Sequence, residues 1–143
     1  MIVVWQKPPL LKQAKQLPQR IFDGVDALVE NKTGIATDEL KEVTEQEPQL
    51  IELQFSLGRL YRKRGENDLA IKLHSKLLAS QYIFSNDTKD KARLELAQDF
   101  QKAGLIDRSE SILLKLSNSE MYGHQALQML LLIYQDRKST RLN

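Results

Sequence analysis

Apolar side chains recur every three or four residues along most of this chain, which is the spacing of one face of an α-helix. Glycine, proline and short polar clusters separate these periodic stretches and mark the turns between helices. Helices are therefore predicted at about residues 18–30, 35–47, 49–64, 68–79, 88–102, 107–116 and 122–135. The short connections between them predict an all-α fold of antiparallel helix pairs.

A five-residue pattern occurs three times, each time in the first helix of a pair. It runs Leu57-Gly58-Arg59-Leu60-Tyr61, then Leu96-Ala97-Gln98-Asp99-Phe100, then Leu130-Leu131-Leu132-Ile133-Tyr134. A large apolar residue, a small or apolar residue, two spacers and an aromatic residue form the first-helix signature of a tetratricopeptide repeat. The repeats open near residues 17, 51, 90 and 124, with spacings of 34, 39 and 34 residues. The sequence therefore predicts a tetratricopeptide-repeat solenoid of about three and a half repeats.

Small and aromatic residues at matching places in the repeats are expected to hold the helices together. A close crossing of two helices needs a short side chain at the contact, and an aromatic ring one turn later fills the remaining space. Glycine after the first helix supplies the left-handed turn. The positions predicted to maintain repeat packing are Leu57, Gly58, Tyr61, Gly65, Ala70, Leu96, Ala97, Phe100, Gly104, Ser109, Leu130 and Tyr134.

The two ends of the chain differ from the repeats, which occupy residues 17–135. Residues 1–16 combine Pro8-Pro9 with several lysines, and they suit a stretch that follows a membrane helix and an ordinary basic surface helix equally well. The five apolar residues at the start are far fewer than the roughly 20 that cross a bilayer. Residues 136–143 look like the translation of a sequencing-library adapter, so we predict a non-native tail, and a genuine polar terminus is the alternative.

Composition narrows the function classes. Only 6% of residues are aromatic against 41% hydrophobic, which fits aliphatic helix packing. The absence of cysteine excludes disulfides, thiolate zinc sites and cysteine nucleophiles from this segment. The net charge is +2, but the last eight residues hold three of the 21 basic residues and one of the 19 acidic residues, so 18 of each remain. We therefore expect no nucleic-acid partner.

No group of residues in the sequence suits catalysis. The only two histidines, His74 and His124, lie in different repeats without a carboxylate pair at metal-ligand spacing, so we expect His74 to be packed and hydrogen-bonded. Glutamates at helical spacing around residues 39–47 suggest a solvated face, with no second group opposite them for acid–base chemistry. A phosphate loop and a Ser/His/Asp arrangement are also missing. The chain is predicted to be no enzyme, with no cofactor and no small-molecule substrate.

The same repeat count identifies the face that the first helices turn toward the inside of the solenoid. Five of its nine positions are cationic and none is acidic, which favours an acidic protein or peptide partner. In the alternative interpretation, Arg62, Lys63, Arg64 and Lys102 are solvated helix ends, because cations complement the dipole there. The predicted partner-binding residues are Phe55, Arg59, Arg62, Lys63, Lys91, Leu94, Gln98, Gln101 and Lys102.

Three stretches resemble one particular family of repeat proteins. Residues 57–74, including the non-consensus His74, look like the first full repeat of the bacterial lipopolysaccharide assembly protein B family. Residues 96–110 and 126–135 resemble the two repeats that follow in that family, and residues 11–15 resemble the stretch just after its membrane helix. The long connection before the helix at 88–102 matches as well.

This resemblance implies a truncated part of a Gram-negative inner-membrane scaffold with an N-terminal anchor and repeats on the cytoplasmic face. The family is not enzymatic, and it assists a membrane-anchored ATP-dependent protease in degrading the lipid A deacetylase, which limits lipopolysaccharide synthesis. A rubredoxin-like zinc module is expected only in a C-terminal part outside this chain, and this segment itself is expected to be soluble. The alternative is a generic cytosolic repeat adaptor for an unrelated peptide or protein.

Overall fold

The computed structural model describes residues 33–83 and 85–142, and within these ranges it contains six α-helices and no strand. The predicted all-α class is therefore confirmed. The predicted first helix at 18–30 and the segment 1–16 lie outside the described residues. The helices are α1 (Thr33–Gln46), α2 (Ile51–Lys63), α3 (Asn67–Leu78), α4 (Asn86–Lys102), α5 (Ile106–Leu116) and α6 (Gly123–Leu142).

Two identical turns join the helices of the central pairs. Gly65 and Gly104 both have φ of 81°, the left-handed conformation that glycine adopts without strain. The amide of Glu66 donates to the carbonyl of Tyr61 at 2.8 Å, and the amide of Leu105 donates to Phe100 at the same distance. These are Schellman motifs, which satisfy carbonyl groups at the end of the first helix. The same local chemistry thus produces the same helix pair twice, 39 residues apart.

The helices pack in sequence order. Each of α1 to α5 contacts the next helix along the chain, and α2 also contacts α4 across the intervening α3. This pattern is that of a solenoid, in which each pair packs on its neighbour and the first helices of successive pairs lie side by side. The helical-repeat solenoid predicted from the sequence is therefore confirmed.

Small residues lie at the helix crossings, as the repeat pattern predicts. A Cβ atom at Gly58 would come under 3.0 Å from three ring atoms of His74, which belongs to α3. In the next pair the Ser109 hydroxyl donates to the Ala97 carbonyl at 2.8 Å. Ala70 and Ala97 are fully buried. These contacts bring the second helix of each pair close to the first.

The last helix is longer than predicted. Helix α6 continues to Leu142 because no proline or glycine follows Gln135. Arg137 reaches back to Asp107 and Glu110 of α5 at 2.7 and 2.6 Å. The assignment of residues 136–143 as non-native stays a prediction.

One side of α6 is uncovered. Leu130 is buried, but Tyr134 is 43% exposed and Leu131 is 56% exposed. The equivalent residues of the preceding pair, Phe100 and Ala97, are covered. Among the described residues, nothing packs on α6 in the way that α5 packs on α4.

No helix in the described ranges has the length and hydropathy that a bilayer crossing requires.

Candidate protein-binding face

The candidate site is the inner face, which we define as the side of α2 and α4 that carries Arg59, Arg62 and Lys63 on α2 and Lys91, Gln98, Gln101 and Lys102 on α4. Arg59, Arg62 and Lys63 match Gln98, Gln101 and Lys102 at a spacing of 39 residues. Because α2 and α4 lie side by side, these matched residues form one surface.

Two of the predicted contact residues are not on this surface. Phe55 is fully buried and packs with Leu77 and Ile83. Leu94 is 4% exposed and packs with Leu113 in the core of the second pair. They support the inner face from beneath, so the prediction that they touch a partner is corrected. The repeat pattern predicts both residues on the solvent-facing side of their helices, whereas in the structure they lie on the core-facing side.

Arginines of α2 are bound to acids of α4. Arg59 Nε lies 2.9 Å from Glu95 Oε1, and Arg62 Nη1 lies 2.9 Å from Glu95 Oε2. Arg62 Nη1 also lies 2.8 Å from Asp99 Oδ1. The side chain of Asp99 has no exposed surface, and that of Glu95 is 10% exposed. The prediction that this face carries five cations and no acid is therefore wrong.

His74 extends this arrangement to α3. Its Nδ1 is hydrogen-bonded to Asp99 Oδ2, and both side chains are fully buried. The Nε2 atom has no hydrogen-bond partner among the described residues and faces Gly58. His74 is thus packed and hydrogen-bonded, as expected. We call Arg59, Arg62, His74, Glu95 and Asp99 the junction network.

The junction network fixes the two repeats against each other. Removal of one partner from a shielded ion pair leaves an uncompensated charge, which is strongly destabilising. Asp99 is held by Arg62 from α2 and by His74 from α3, so it joins three helices at one carboxylate. The position of α4 on the first pair is therefore set by directional bonds as well as by apolar packing.

Arg59 and Arg62 also lower the pKa of the Glu95 carboxyl group. Burial alone would raise the pKa of this carboxyl, but the hydrogen bonds and positive charges of Arg59 and Arg62 outweigh burial and hold the pKa below its ordinary value of 4.5. Glu95 is therefore ionised throughout the neutral range, and the network is a fixed charge pattern there.

Sequence reasoning missed the two acids because it sorted residues by one idealised helix face. The spacing of charged residues in the sequence nevertheless indicates this network. Glu95 and Asp99 are four residues apart on α4, and Arg59 and Arg62 are three apart on α2, so each pair lies on one side of its own helix. Opposite charges at helical spacing in two neighbouring first helices indicate an ion-pair network between repeats.

Part of the inner face remains available to a partner. Arg62, Gln98, Gln101 and Lys102 line a shallow depression of about 530 Å³. Lys63 and Lys102 are exposed, and neither forms an ion pair with another described residue. Lys91 is already paired with Glu52 at 2.7 Å. Ammonium and amide groups of this kind can bind carboxylates and backbone carbonyls of a protein segment.

The described part of the chain holds no cluster of three or more histidine, cysteine or acidic side chains that could bind a metal ion.

Comparison with known proteins supports the repeat assignment. No protein-family model matches the chain. The structure resembles the type III secretion translocator chaperone SycD of Yersinia enterocolitica, with a TM-score of 0.67 over 87% of this chain and 88% of that chain. At 16% sequence identity this likeness shows the fold alone.

Curated relatives share one name. The chain is 34% identical to lipopolysaccharide assembly protein B of Haemophilus influenzae over 135 residues, which cover 87% of this chain and 33% of that protein. It is 32% identical to the protein of that name from Escherichia coli K12 over 123 residues, covering 86% of this chain and 31% of that protein. The chain spans about a third of the length of these relatives. These comparisons confirm the resemblance seen in the repeats: the chain is related to the lipopolysaccharide assembly protein B family.

Proposed function

We propose that this chain is the repeat region of a non-enzymatic scaffold that regulates lipopolysaccharide synthesis by holding a protein partner on its inner face. The relationship to lipopolysaccharide assembly protein B supports the pathway. The helical-repeat fold supports protein binding, since such solenoids present extended surfaces to other proteins.

The proposed partners follow from the family resemblance. They are the lipid A deacetylase, and a membrane-anchored ATP-dependent protease that degrades it. In the parent protein we place the repeats at the cytoplasmic face of the inner membrane. The chain would bring the deacetylase to the protease, and its own part in this would be binding rather than chemistry.

One observation carries the assignment of the inner face. The junction network binds Arg59 and Arg62, and Arg64 is paired with Glu66 at 3.5 Å. Lys63 and Lys102, at the ends of α2 and α4, are exposed and form no ion pair within the described residues. The two lysines match at 39 residues on neighbouring helices, and Lys102 lines the depression together with Gln98 and Gln101. A pair of cations flanked by amides suits an acidic partner segment.

The test is a binding titration of the 143-residue chain with purified lipid A deacetylase. Charge reversal in Lys63→Glu/Lys102→Glu should weaken the affinity about tenfold, because attraction is replaced by repulsion at two exposed contacts. The matched control, Lys89→Glu/Lys138→Glu, changes the charge equally in the first turn of α4 and the last turns of α6. It should bind like the unmodified chain.

Two outcomes would contradict the proposal in different ways. Equal binding by both double variants would reject the inner face. No binding by the unmodified chain would reject the deacetylase as its partner and favour a generic repeat adaptor. Circular dichroism of each variant should match that of the unmodified chain, because the substituted side chains lie outside the core.

A further inference from the structure

The opposite side of the solenoid carries two grooves that are equivalent by repeat register. The first, of about 640 Å³, lies between α1 and α3 with α2 beneath it. The second, of about 550 Å³, lies between α3 and α5 with α4 beneath it. We call these the outer grooves.

Most residues that line the second groove match a residue of the first groove at a spacing of 39. Leu57 and Tyr61 in the first correspond to Leu96 and Phe100 in the second. On the neighbouring helix, Leu73 corresponds to Ile112, and Lys76 corresponds to Lys115. An apolar floor with a lysine at its rim is thus built twice.

Helix geometry separates the outer grooves from the inner face. Leu96 and Phe100 line the second groove, while Gln98 and Lys102 belong to the inner face. Gln98 follows Leu96 by two residues, and Lys102 follows Phe100 by two residues. Two residues correspond to a rotation of about 200° around an α-helix, so the two sets face opposite sides of α4. A partner in the outer grooves would therefore leave the inner face accessible.

Both rims are positively charged. The first groove has Lys41, Lys72 and Lys76 around it, with Glu45 as its acid. The second groove has Arg93, Arg108 and Lys115, with Asp107 as its acid, and Arg93 is paired with Asp90 at 2.7 Å.

Several of these cations are available for binding. Asp107 is paired with Arg137 at 2.7 Å. Lys76 and Lys115 are exposed and form no ion pair within the described part of the chain. Arg108 lies with its Cζ 4.5 Å from the centre of the Phe100 ring, over the floor of the second groove.

Apolar surface at the first groove is incompletely buried. Leu69 is 46% exposed and Tyr82 is 41% exposed, and both line this groove. Apolar side chains flanked by cations are complementary to a helix with one apolar face and acidic edges. A flat surface would not reach the floor of either groove, where Leu57 and Leu96 are 3% and 7% exposed.

We propose that the outer grooves bind acidic amphipathic helices of a partner protein, with the apolar face of each helix against the leucine and aromatic floor and its acidic edges on the lysine rims. The two grooves are one repeat apart, so two helices of one partner can bind together. Binding of the second is then favoured by the raised effective concentration. This surface is additional to the inner face of the proposed function.

The probe is a set of three fluorescent synthetic peptides that share one apolar helical face and carry glutamate, glutamine or lysine at its edges. Fluorescence anisotropy with the 143-residue chain should show the highest affinity for the glutamate peptide, a lower affinity for the glutamine peptide and the lowest for the lysine peptide. The affinity for the glutamate peptide should fall as the salt concentration rises. Charge reversal in Lys76→Glu/Lys115→Glu should lower the affinity for the glutamate peptide about tenfold. The control Lys89→Glu/Lys138→Glu should leave its affinity unchanged.

Three results would overturn the proposal. The first is equal affinity for the three peptides or for the two double variants. The second is that Lys63→Glu/Lys102→Glu no longer binds the glutamate peptide while Lys76→Glu/Lys115→Glu still does, which would place the peptide on the inner face. The third is binding to vesicles of phosphatidylcholine and phosphatidylglycerol, reversed by Lys76→Glu/Lys115→Glu, without any peptide binding. That result would identify a lipid-binding surface instead.

Discussion

At the scale of single residues, the fold depends on a few positions where helices touch. Gly58 has no side chain, and the space that a side chain would occupy is filled by the imidazole of His74. His74 in turn reaches Asp99. The glycine therefore does two things: it lets α3 lie close to α2, and it admits the histidine that connects α3 to the next repeat.

The first prediction concerns this contact. Gly58→Ala should lower the free energy of unfolding by about 1 to 3 kcal/mol, because the added methyl group overlaps the imidazole ring in a packed interior. The effect opposes the helix propensity of alanine, which alone would stabilise a mid-helix position by about 1 kcal/mol. Urea unfolding followed by circular dichroism measures the difference.

A double-mutant cycle with His74→Ala isolates the contact. If the clash is with the imidazole, Gly58→Ala should cost much less in the His74→Ala background than in the unmodified chain. The same cost in both backgrounds would show that the imidazole is not what restricts residue 58. Ser56→Ala, on the same helix but without this neighbour, serves as the reference for helix propensity.

At the scale of helices, the junction network determines how one pair sits on the next. Arg59 and Arg62 come from α2, Glu95 and Asp99 from α4, and His74 from α3. Apolar contacts have little directional preference, whereas ion pairs and hydrogen bonds favour one geometry, so the network adds a directional constraint to the packing.

The second prediction concerns pH. Because the pKa of Glu95 is lower in the folded chain than in the unfolded chain, the carboxylate contributes stability that is complete above its ordinary value of 4.5. This contribution is lost as the pH falls through the lowered folded-state value. The difference in unfolding free energy between the unmodified chain and Glu95→Gln should therefore be largest at neutral pH and should become smaller as the pH falls below 4.5.

The reference for this experiment is Glu120→Gln, since Glu120 is exposed and lies outside the junction network. A gap for Glu95→Gln that stays constant across the acid range would contradict the role given to the two arginines.

The helices themselves were largely predictable, and the network was not. Glycine and proline positions fix the turns locally, so the predicted helices 88–102 and 107–116 differ from α4 and α5 by at most two residues. Residues such as Ala97 and Ser109 follow the repeat pattern into the crossings. Which cation meets which acid depends on how one pair is rotated on the next, and a repeat consensus does not specify that rotation. For this reason Phe55 and Leu94 were placed on the surface, and the partners of Arg62 were missed.

At the scale of the molecule, the solenoid offers two faces of different chemistry. The inner face presents ammonium and amide groups over a buried ion network. The outer grooves present apolar floors with basic rims. Beyond these faces, α6 exposes Leu127, Leu131 and Tyr134 at helical spacing, where α4 is covered by α5 in the preceding pair. If both proposals hold, such a repeat chain would bind more than one protein segment at a time.

The most direct test of the proposed scaffold is backbone hydrogen exchange of the chain, read by mass spectrometry, with and without bound lipid A deacetylase. We predict slower exchange on binding in the C-terminal turns of α2 and α4, around Lys63 and Lys102, with α6 unchanged. Slower exchange confined to α3, α5 or α6, or no change at saturating deacetylase, would contradict binding at the inner face.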